Sequence, residues 1–252
     1  MNPVLKDGLR ALMPRSIRPH RILRGPLRGT WLVASWHDYP AGIEGRTERP
    51  LLEWFSQHVR AGETWLDVGA RYGYTAFALA RGVGPGGRVF AFEPVAATAG
   101  YAEHGRALNG LTQVTVLPFG LGSPDTIEMR RLPMICGMAD STVDAASAGA
   151  VTTMLARFDW LWPIVNGGEP SIHGVKIDVQ GMELEALEGM REALARWRPR
   201  LVVELHAGVS RERALALLRE LGYSTAAVPI EPARGEDAPL FLDDRSYVFP
   251  PA

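Results

Sequence analysis

Residues 64–80 leave this chain the fewest folding options. Trp65, Leu66 and Val68 read as a short buried strand, Gly69 to Gly73 as a tight turn, and Tyr74 to Arg81 as a helix with Phe77, Leu79 and Ala80 apolar. Strand, glycine turn and helix in that order open an α/β sheet. The turn brings backbone N–H groups and a helix N-terminus to the carboxyl edge of the first strand, where nucleotide-like ligands bind.

The residues around the glycines narrow the ligand. A dinucleotide turn wants G-x-G-x-x-G so that backbone can approach a pyrophosphate, and Arg71 stands where the second glycine would be. Asp67 ends the strand, and its carboxylate repels phosphates but suits an ammonium and a sulfonium, the charges of S-adenosylmethionine (SAM). The next strand, Arg88 to Phe92, ends in Glu93-Pro94. A carboxylate ~20 residues past the glycines is placed to accept both hydroxyls of a ribose. The alternative, that Asp67 merely caps the turn and Glu93 is a solvated strand end, is disfavoured because the two features agree on an adenosine without phosphates.

Length and charge bound the rest. A chain of 252 residues suits one α/β domain with an N-terminal extension, here residues 1–45 as a basic arm and cleft-lining segment and 46–252 as the SAM-binding domain. The formal net charge of -1 offers no global attraction to nucleic acid, and the single Cys136 excludes an intramolecular disulfide. No apolar run reaches the ~18 residues of a membrane span, and the basic N-terminus lacks the apolar segment of a signal peptide, so a cytoplasmic location is expected. The arm, with Arg15, Arg18, Arg21, Arg24 and Arg28 among prolines, suits an anionic surface or a second subunit of a homo-oligomer, or packs on its own domain.

Further along, residues 31–45 suggest a strand or hairpin lining a cleft, and Glu48-Arg49-Pro50 opens a helix capped by Gly62. Residues 95–109 read as a helix and Val114 to Leu117 as a strand. Gly120 and Leu121 then either press backbone against an adenine or form a plain β-turn. Residues 126–130 read as a short strand, and 132–170 as a core flap or a substrate lid. Gly174 to Val179 is a strand, Met182 to Trp197 a helix, Leu201 to His206 a strand, Ser210 to Leu221 a helix, and 223–228 and 245–249 two last strands. Strand and helix alternate throughout, as in a doubly wound, mostly parallel sheet.

Residues two apart on a strand share a face, so Lys176 faces with Asp178 and Glu204 with His206. If the two strands are neighbours, Asp178 and His206 reach the carboxyl edge near Gly69 and Glu93, exposed to the cleft, while Lys176 and Glu204 lie deeper as a buried ion pair. His206 has the pKa of a general base and Asp178 can orient it or hold an acceptor hydroxyl. Alternatively Asp178, Glu204 and His206 ligate Mg²⁺ or Mn²⁺, although their spacing is no dedicated metal signature, or His206 is a hydrogen-bonded strand cap. Glu183, two residues after Gly181, is a secondary candidate.

Asp67-Val68-Gly69-Ala70 with Gly73, Phe92-Glu93-Pro94, Ala107-Leu108-Asn109, and Lys176-Ile177-Asp178-Val179 with Gly181 and Glu183 together resemble the FkbM family of SAM-dependent methyltransferases. Arg198-Pro199 and Val203 to His206 look like the same family's next strand. The resemblance covers residues 45–207. It implies the Rossmann-like class I methyltransferase fold, a seven-stranded sheet with its last strand antiparallel and helices on both faces. It also implies O-methylation of a sugar or polyketide-type hydroxyl. By position, Asp67, Gly69, Ala70, Gly73, Glu93, Pro94, Gly120 and Leu121 would hold SAM and Asp178 would lie beside the methyl. Two positions depart from the family. Arg71-Tyr72 replaces an Asn followed by an aliphatic residue, which offers a guanidinium to the methionine carboxylate or a substrate anion, and Gln180 replaces a Glu.

The leading expectation is base-assisted methyl transfer to a hydroxyl of a small metabolite, a sugar or glycoside first. Gln180 leaves open a SAM-binding regulator or subunit without catalysis, and Arg71 disfavours an NAD-dependent oxidoreductase. The Asn or Asp with two prolines and an aromatic that a nucleic-acid amino-methyltransferase needs is not supplied by Asp178-Val179-Gln180-Gly181.

Overall fold

A computed structural model describes residues 13–143, 149–234, 236, 238–243 and 245–252. The chain opens with an antiparallel hairpin, β1 (Arg18–Arg21) and β2 (Trp31–Ala34), followed by helices α1 (Pro40–Glu44) and α2 (Arg49–His58). Then come β3 (Thr64–Val68), α3 (Tyr74–Val83), β4 (Arg88–Phe92), α4 (Ala96–Leu108) and β5 (Val114–Leu117). The strands β6 (Gly120–Gly122), β7 (Ile127–Ile135), β8 (Met138–Ala139) and β9 (Gly149–Arg157) precede α5 (Phe158–Asn166). The chain continues with β10 (Gly174–Ile177), α6 (Glu183–Gly189), α7 (Arg191–Trp197), β11 (Arg200–Glu204), α8 (Arg211–Glu220), β12 (Val228–Pro229) and β13 (Ser246–Phe249).

Seven strands form the main sheet in the order β12-β13-β11-β10-β3-β4-β5. β13 runs antiparallel to both its neighbours, and the other pairings are parallel. The strand β3 sits near the middle and is buried along its whole length, as a parallel strand covered by helices must be. Its alternation sends Leu66 and Val68 into a core with Phe158, Leu187 and Leu218, and Trp65 into a second core with Phe55 and Phe77. Each such fully buried side chain contributes about 1.5–3 kcal/mol of transfer free energy. The parallel order turns at β3, with β4 on one side and β10 on the other, and a crevice opens at their carboxyl ends.

The N-terminal hairpin shares the second core. Ile22, Leu27 and Leu32 pack with Leu51 and Phe55, so the described residues show no break in the core at position 45. The Asn109 amide fastens the end of α4 to β2, accepting from the Trp31 N–H and donating to its carbonyl, both at 2.8 Å.

Several expectations change. The four strands β6-β9-β7-β8 form a separate sheet, so Gly120 and Leu121 are strand residues paired with Leu155 and Ala156 and not a β-turn. Residues 132–170 are divided: the sheet flanks the crevice, while Phe158 and Trp162 of α5 stack on each other inside the main core. The helix expected over 182–197 breaks at Met190. Gly189 lies so close to the Gly122 carbonyl that a Cβ would come within 1.9 Å of its oxygen, and splitting the helix lets both halves keep their contacts. The helix α2 ends at His58 before Gly62, whose φ of 85° instead turns the chain into β3. β11 stops at Glu204, leaving His206 beyond the strand.

Candidate active site

The crevice at the carboxyl edge is a cleft of about 540 Å³. Of the residues expected to hold a cofactor, Gly69, Ala70, Glu93, Pro94, Gly120 and Leu121 line it. Gly69 has φ 88°, and a Cβ there would lie 1.8 Å from the Asp178 carbonyl oxygen, so only glycine lets the turn after β3 press against the end of β10. Its N–H and that of Ala70 both donate to the Phe92 carbonyl, which locks the turn to the end of β4.

Asp67 and Gly73 lie behind this wall. Asp67 is 0% exposed, accepts from the Thr75 hydroxyl at 2.6 Å and pairs with Lys176 at 3.3 Å, so it supports the turn from beneath instead of facing a ligand. Gly73 takes φ 85° as the cap of α3. The expected Lys176–Glu204 pair is replaced. Buried Lys176 reaches Asp67 and Asp178, each at 3.3 Å, and donates to the Gly69 carbonyl. Burial works against its charge, and the charges of Asp178 and Asp67 prevail, holding the ammonium protonated well above its usual range.

Glu93 closes β4 with its carboxylate inside the cleft wall. Oε1 accepts the Val95 N–H and Oε2 the Arg71 N–H, both at 2.9 Å, leaving each oxygen one lone pair. Burial pushes its carboxyl up to about 7 against those two hydrogen bonds. Arg71 itself has φ 47°, a left-handed conformation costing a non-glycine residue roughly 1–2 kcal/mol. Its guanidinium lies 4.4 Å over the Tyr39 ring and donates to the carbonyls of Asp38 and Cys136, each at 2.9 Å. It therefore joins the N-terminal segment to the turn between β7 and β8, through Nη2 alone, and the residue lines the cleft.

Asp178 and His206 do come together, but His206 is not exposed to the cleft. Its ring is buried, with residue exposure of 5%. Nδ1 lies 2.8 Å from Glu183, and Nε2 lies 2.8 Å from the Gln180 amide, 3.3 Å from Glu204 and 3.7 Å from Asp178. Burial lowers the imidazole pKa, but the hydrogen bonds to Glu183 and Glu204 and the charge of Asp178 overcome it and push it up to about 11. A ring already charged, with both nitrogens engaged, has no lone pair for an acceptor proton. Burial also opposes the Asp178 charge, yet Lys176 and His206 hold its carboxyl below the usual range, while burial and the Asp178 charge hold Glu204 above it. Asp178, Glu204 and His206 each bring one ligand atom within 4.8 Å of the others, so the alternative metal set and the catalytic pair occupy one place.

Sequence reasoning passed over Glu48, Tyr39 and the coupling of Gln180 to this cluster. Glu48 lines the cleft in a left-handed conformation, φ 53°, and burial with the nearby Asp178 charge pushes its carboxyl up to about 7. In the sequence it looks like the cap of α2, and it makes no side-chain cap bond there. Tyr39 was within reach of sequence reasoning, because residues 31–45 were expected to line a cleft.

The cleft wall fits SAM better than a dinucleotide. Glu48, Glu93, Asp178 and Glu204 face the same space with buried Lys176 among them, a setting for ammonium, sulfonium and ribose hydroxyls and not for a pyrophosphate. A family model described as the methyltransferase FkbM domain matches residues 67–225. Hexuronic acid methyltransferase AglP of Haloferax volcanii is 30% identical over 196 residues, which are 76% of this chain and 75% of that protein. Among solved structures, methyltransferase FkbM from Methylobacillus flagellatus superposes with TM-score 0.48 and 19% identity, over 75% of this chain and 43% of that one. A SAM-dependent methyltransferase from Aquifex aeolicus gives TM-score 0.46 and 19% identity, over 84% and 93%. No helix among the described residues is long and apolar enough to cross a membrane. The matched span runs from the acid beneath the glycine turn past the cluster around His206, and the chain belongs to the FkbM family of SAM-dependent methyltransferases, on the class I methyltransferase fold.

Proposed function

We propose that the chain is an O-methyltransferase acting on a hydroxyl of a sugar that carries a carboxylate, a hexuronic acid glycoside in particular. One observation carries this reading: the cleft is acidic where the strands end, and elsewhere its lining carries the guanidinium groups of Arg46, Arg49 and Arg245, each partnered by a glutamate, Glu44, Glu53 and Glu231, with donors to spare for a ligand. The acidic part suits a cationic cofactor. The arginines suit a sugar carboxylate, which guanidinium groups bind in a planar, bidentate fashion. The similarity to a hexuronic acid methyltransferase points to the same acceptor class.

SAM, when bound, supplies an electrophilic methyl on a sulfonium. The protein's part is alignment: methyl transfer is an in-line displacement, and holding the acceptor oxygen behind the methyl carbon removes much of its entropic cost. Asp178, ionised at the edge between Gly69 and Gln180, serves as hydrogen-bond acceptor for the sugar hydroxyl. His206 acts through its neighbours, fixing Asp178 and Glu204 as a buried cation and taking no proton.

Labelled methyl transfer from SAM to a glucuronide and to the matching glucoside tests this reading. Transfer to the glucuronide at a kcat/KM at least tenfold above the glucoside is expected. Equal transfer to both would remove the role of the arginines. No transfer to either, with adenosylhomocysteine still bound, would favour the SAM-binding subunit without catalysis.

A further inference from the structure

With His206 engaged on both nitrogens and Asp178 paired with Lys176, the reaction proposed above lacks a proton acceptor. Glu204 does not fill the gap, since it lies 3.3 Å from the His206 ring and 3.4 Å from the Ser246 hydroxyl. The remaining carboxylates of the cleft lining are Glu93, which holds two backbone N–H groups, Glu231, which is paired with Arg245 at 2.8 Å, and Glu48.

Three features of Glu48 agree. Its side chain lines the cleft and takes part in no hydrogen bond or ion pair with the described residues. The residue stands at the N-cap position of α2, and its carboxylate accepts no backbone N–H of the first turn. Its backbone is left-handed, φ 53° and ψ 20°, strain that a non-glycine residue keeps where the surroundings require that orientation. A carboxylate turned away from its own helix and into a cleft is free for a ligand.

We infer that Glu48 is the general base of the transfer, a catalytic residue that takes the proton of the sugar hydroxyl. The inference rests on the O-methyltransferase reading above. As the acceptor oxygen bonds to the methyl carbon, the S–CH₃ bond breaks and its electron pair stays on sulfur as a neutral thioether. The O–H proton passes to the Glu48 carboxylate and then to solvent. Arg46 and Arg49, paired through Nε with Glu44 and Glu53, flank Glu48 in the same segment of the cleft lining, so a uronate carboxylate held by their remaining N–H groups sets its ring beside Glu48.

The environment suits the task. Burial raises the Glu48 carboxyl first, then the Asp178 charge, with Glu204 and Asp67 adding to it and Lys176 opposing, to about 7. Tyr39 and Tyr74 also face it from the N-terminal segment and α3. A base with a pKa near the working pH combines a large deprotonated fraction with useful proton affinity.

The test compares the full chain with Glu48→Gln and Glu48→Asp in methyl transfer to the glucuronide, alongside calorimetry with adenosylhomocysteine. Glu48→Gln should lose about 10²-fold or more in kcat and keep adenosylhomocysteine affinity within a few-fold. Glu48→Asp should retain part of the rate. At saturating SAM, where Glu93 is covered by the cofactor, the wild-type kcat should rise with pH through about 7, and Glu48→Gln should lack that limb. Wild-type turnover in Glu48→Gln overturns the inference, as does an alkali-labile methyl ester product, because a carboxylate acceptor has no proton to remove. A tenfold loss of adenosylhomocysteine affinity also overturns it, making Glu48 part of the cofactor's seat. That arm decides even if the wild type methylates no sugar, a result that would count against the reading of the acceptor.

Discussion

Gln180 holds its amide nitrogen 2.8 Å from Nε2 of His206 and 3.1 Å from Oδ1 of Asp178, so it fills the space between the two residues that the sequence marks as a catalytic pair. Its backbone is left-handed, φ 51°, and Gly181 follows at φ 97°, which folds the side chain back over the end of β10. As placed, the amide donates to both neighbours and requires an unprotonated Nε2. The carboxylates around the ring favour the imidazolium instead, and a half-turn of the amide then offers Oε1 to the Nε2–H. Either way Nε2 faces Gln180 and not the substrate.

That plug bears on metal dependence. A divalent ion among Asp178, Glu204 and His206 would have to displace the amide and discharge the imidazolium. Turnover should therefore survive chelator, and calorimetry should detect no Mn²⁺ binding. Loss of activity with chelator, restored by Mn²⁺ or Mg²⁺, would make the cluster a metal centre.

The same cluster sets a pH dependence of stability. The folded pKa of His206, about 11, lies above its ordinary 6.5, so its contribution is full below pH 6.5 and is lost as pH rises toward 11. Glu48 and Glu93, raised from 4.5 to about 7, lose theirs between those values, in the same direction. Asp178 runs oppositely: held below 3.8, its contribution is present above that value and fades as pH falls through its lower folded pKa. The thermal midpoint should thus decline from pH 6 to pH 10, and less steeply in His206→Asn. Equal slopes in the two chains would contradict the imidazolium.

Lys176 is buried between Asp67 and Asp178 and holds the Gly69 carbonyl, so removing it leaves two buried carboxylates uncompensated. Lys176→Met should cost about 3–5 kcal/mol in denaturant unfolding. A loss under 1 kcal/mol would mean that the pair does not organise the turn.

Much of the sheet was legible because its strands obey simple rules. Trp65 to Val68 is apolar on both faces apart from Asp67, as a covered parallel strand must be, and the glycine turn and Glu93 follow at the spacing of a nucleoside site. The β6–β9 sheet was legible only at the start of β7, where residues 126–130 read as a strand. Beyond it β7 runs through Arg131 and Pro133 to Ile135 with its faces on a cleft and solvent, and nothing in the sequence marks its pairing with β9. The state of His206 was hidden for another reason. Its partner Glu183 sits 23 positions away on a different element, and nothing local to the strand says that a buried acid will meet the ring. Glu48 stayed unread because a helix-capping acid and a cleft acid look alike until the backbone shows which way the residue turns.

Calorimetry with adenosylhomocysteine tests the cofactor site most directly, using the wild type and Glu93→Ala with thermal midpoints recorded for both. The site described here requires saturable binding to the wild type and an affinity lowered tenfold or more in Glu93→Ala, as loss of a buried charged acceptor implies. Wild-type affinity in a folded Glu93→Ala chain, or no binding to the wild type, would contradict the placement of the cofactor at the ends of β3 and β4.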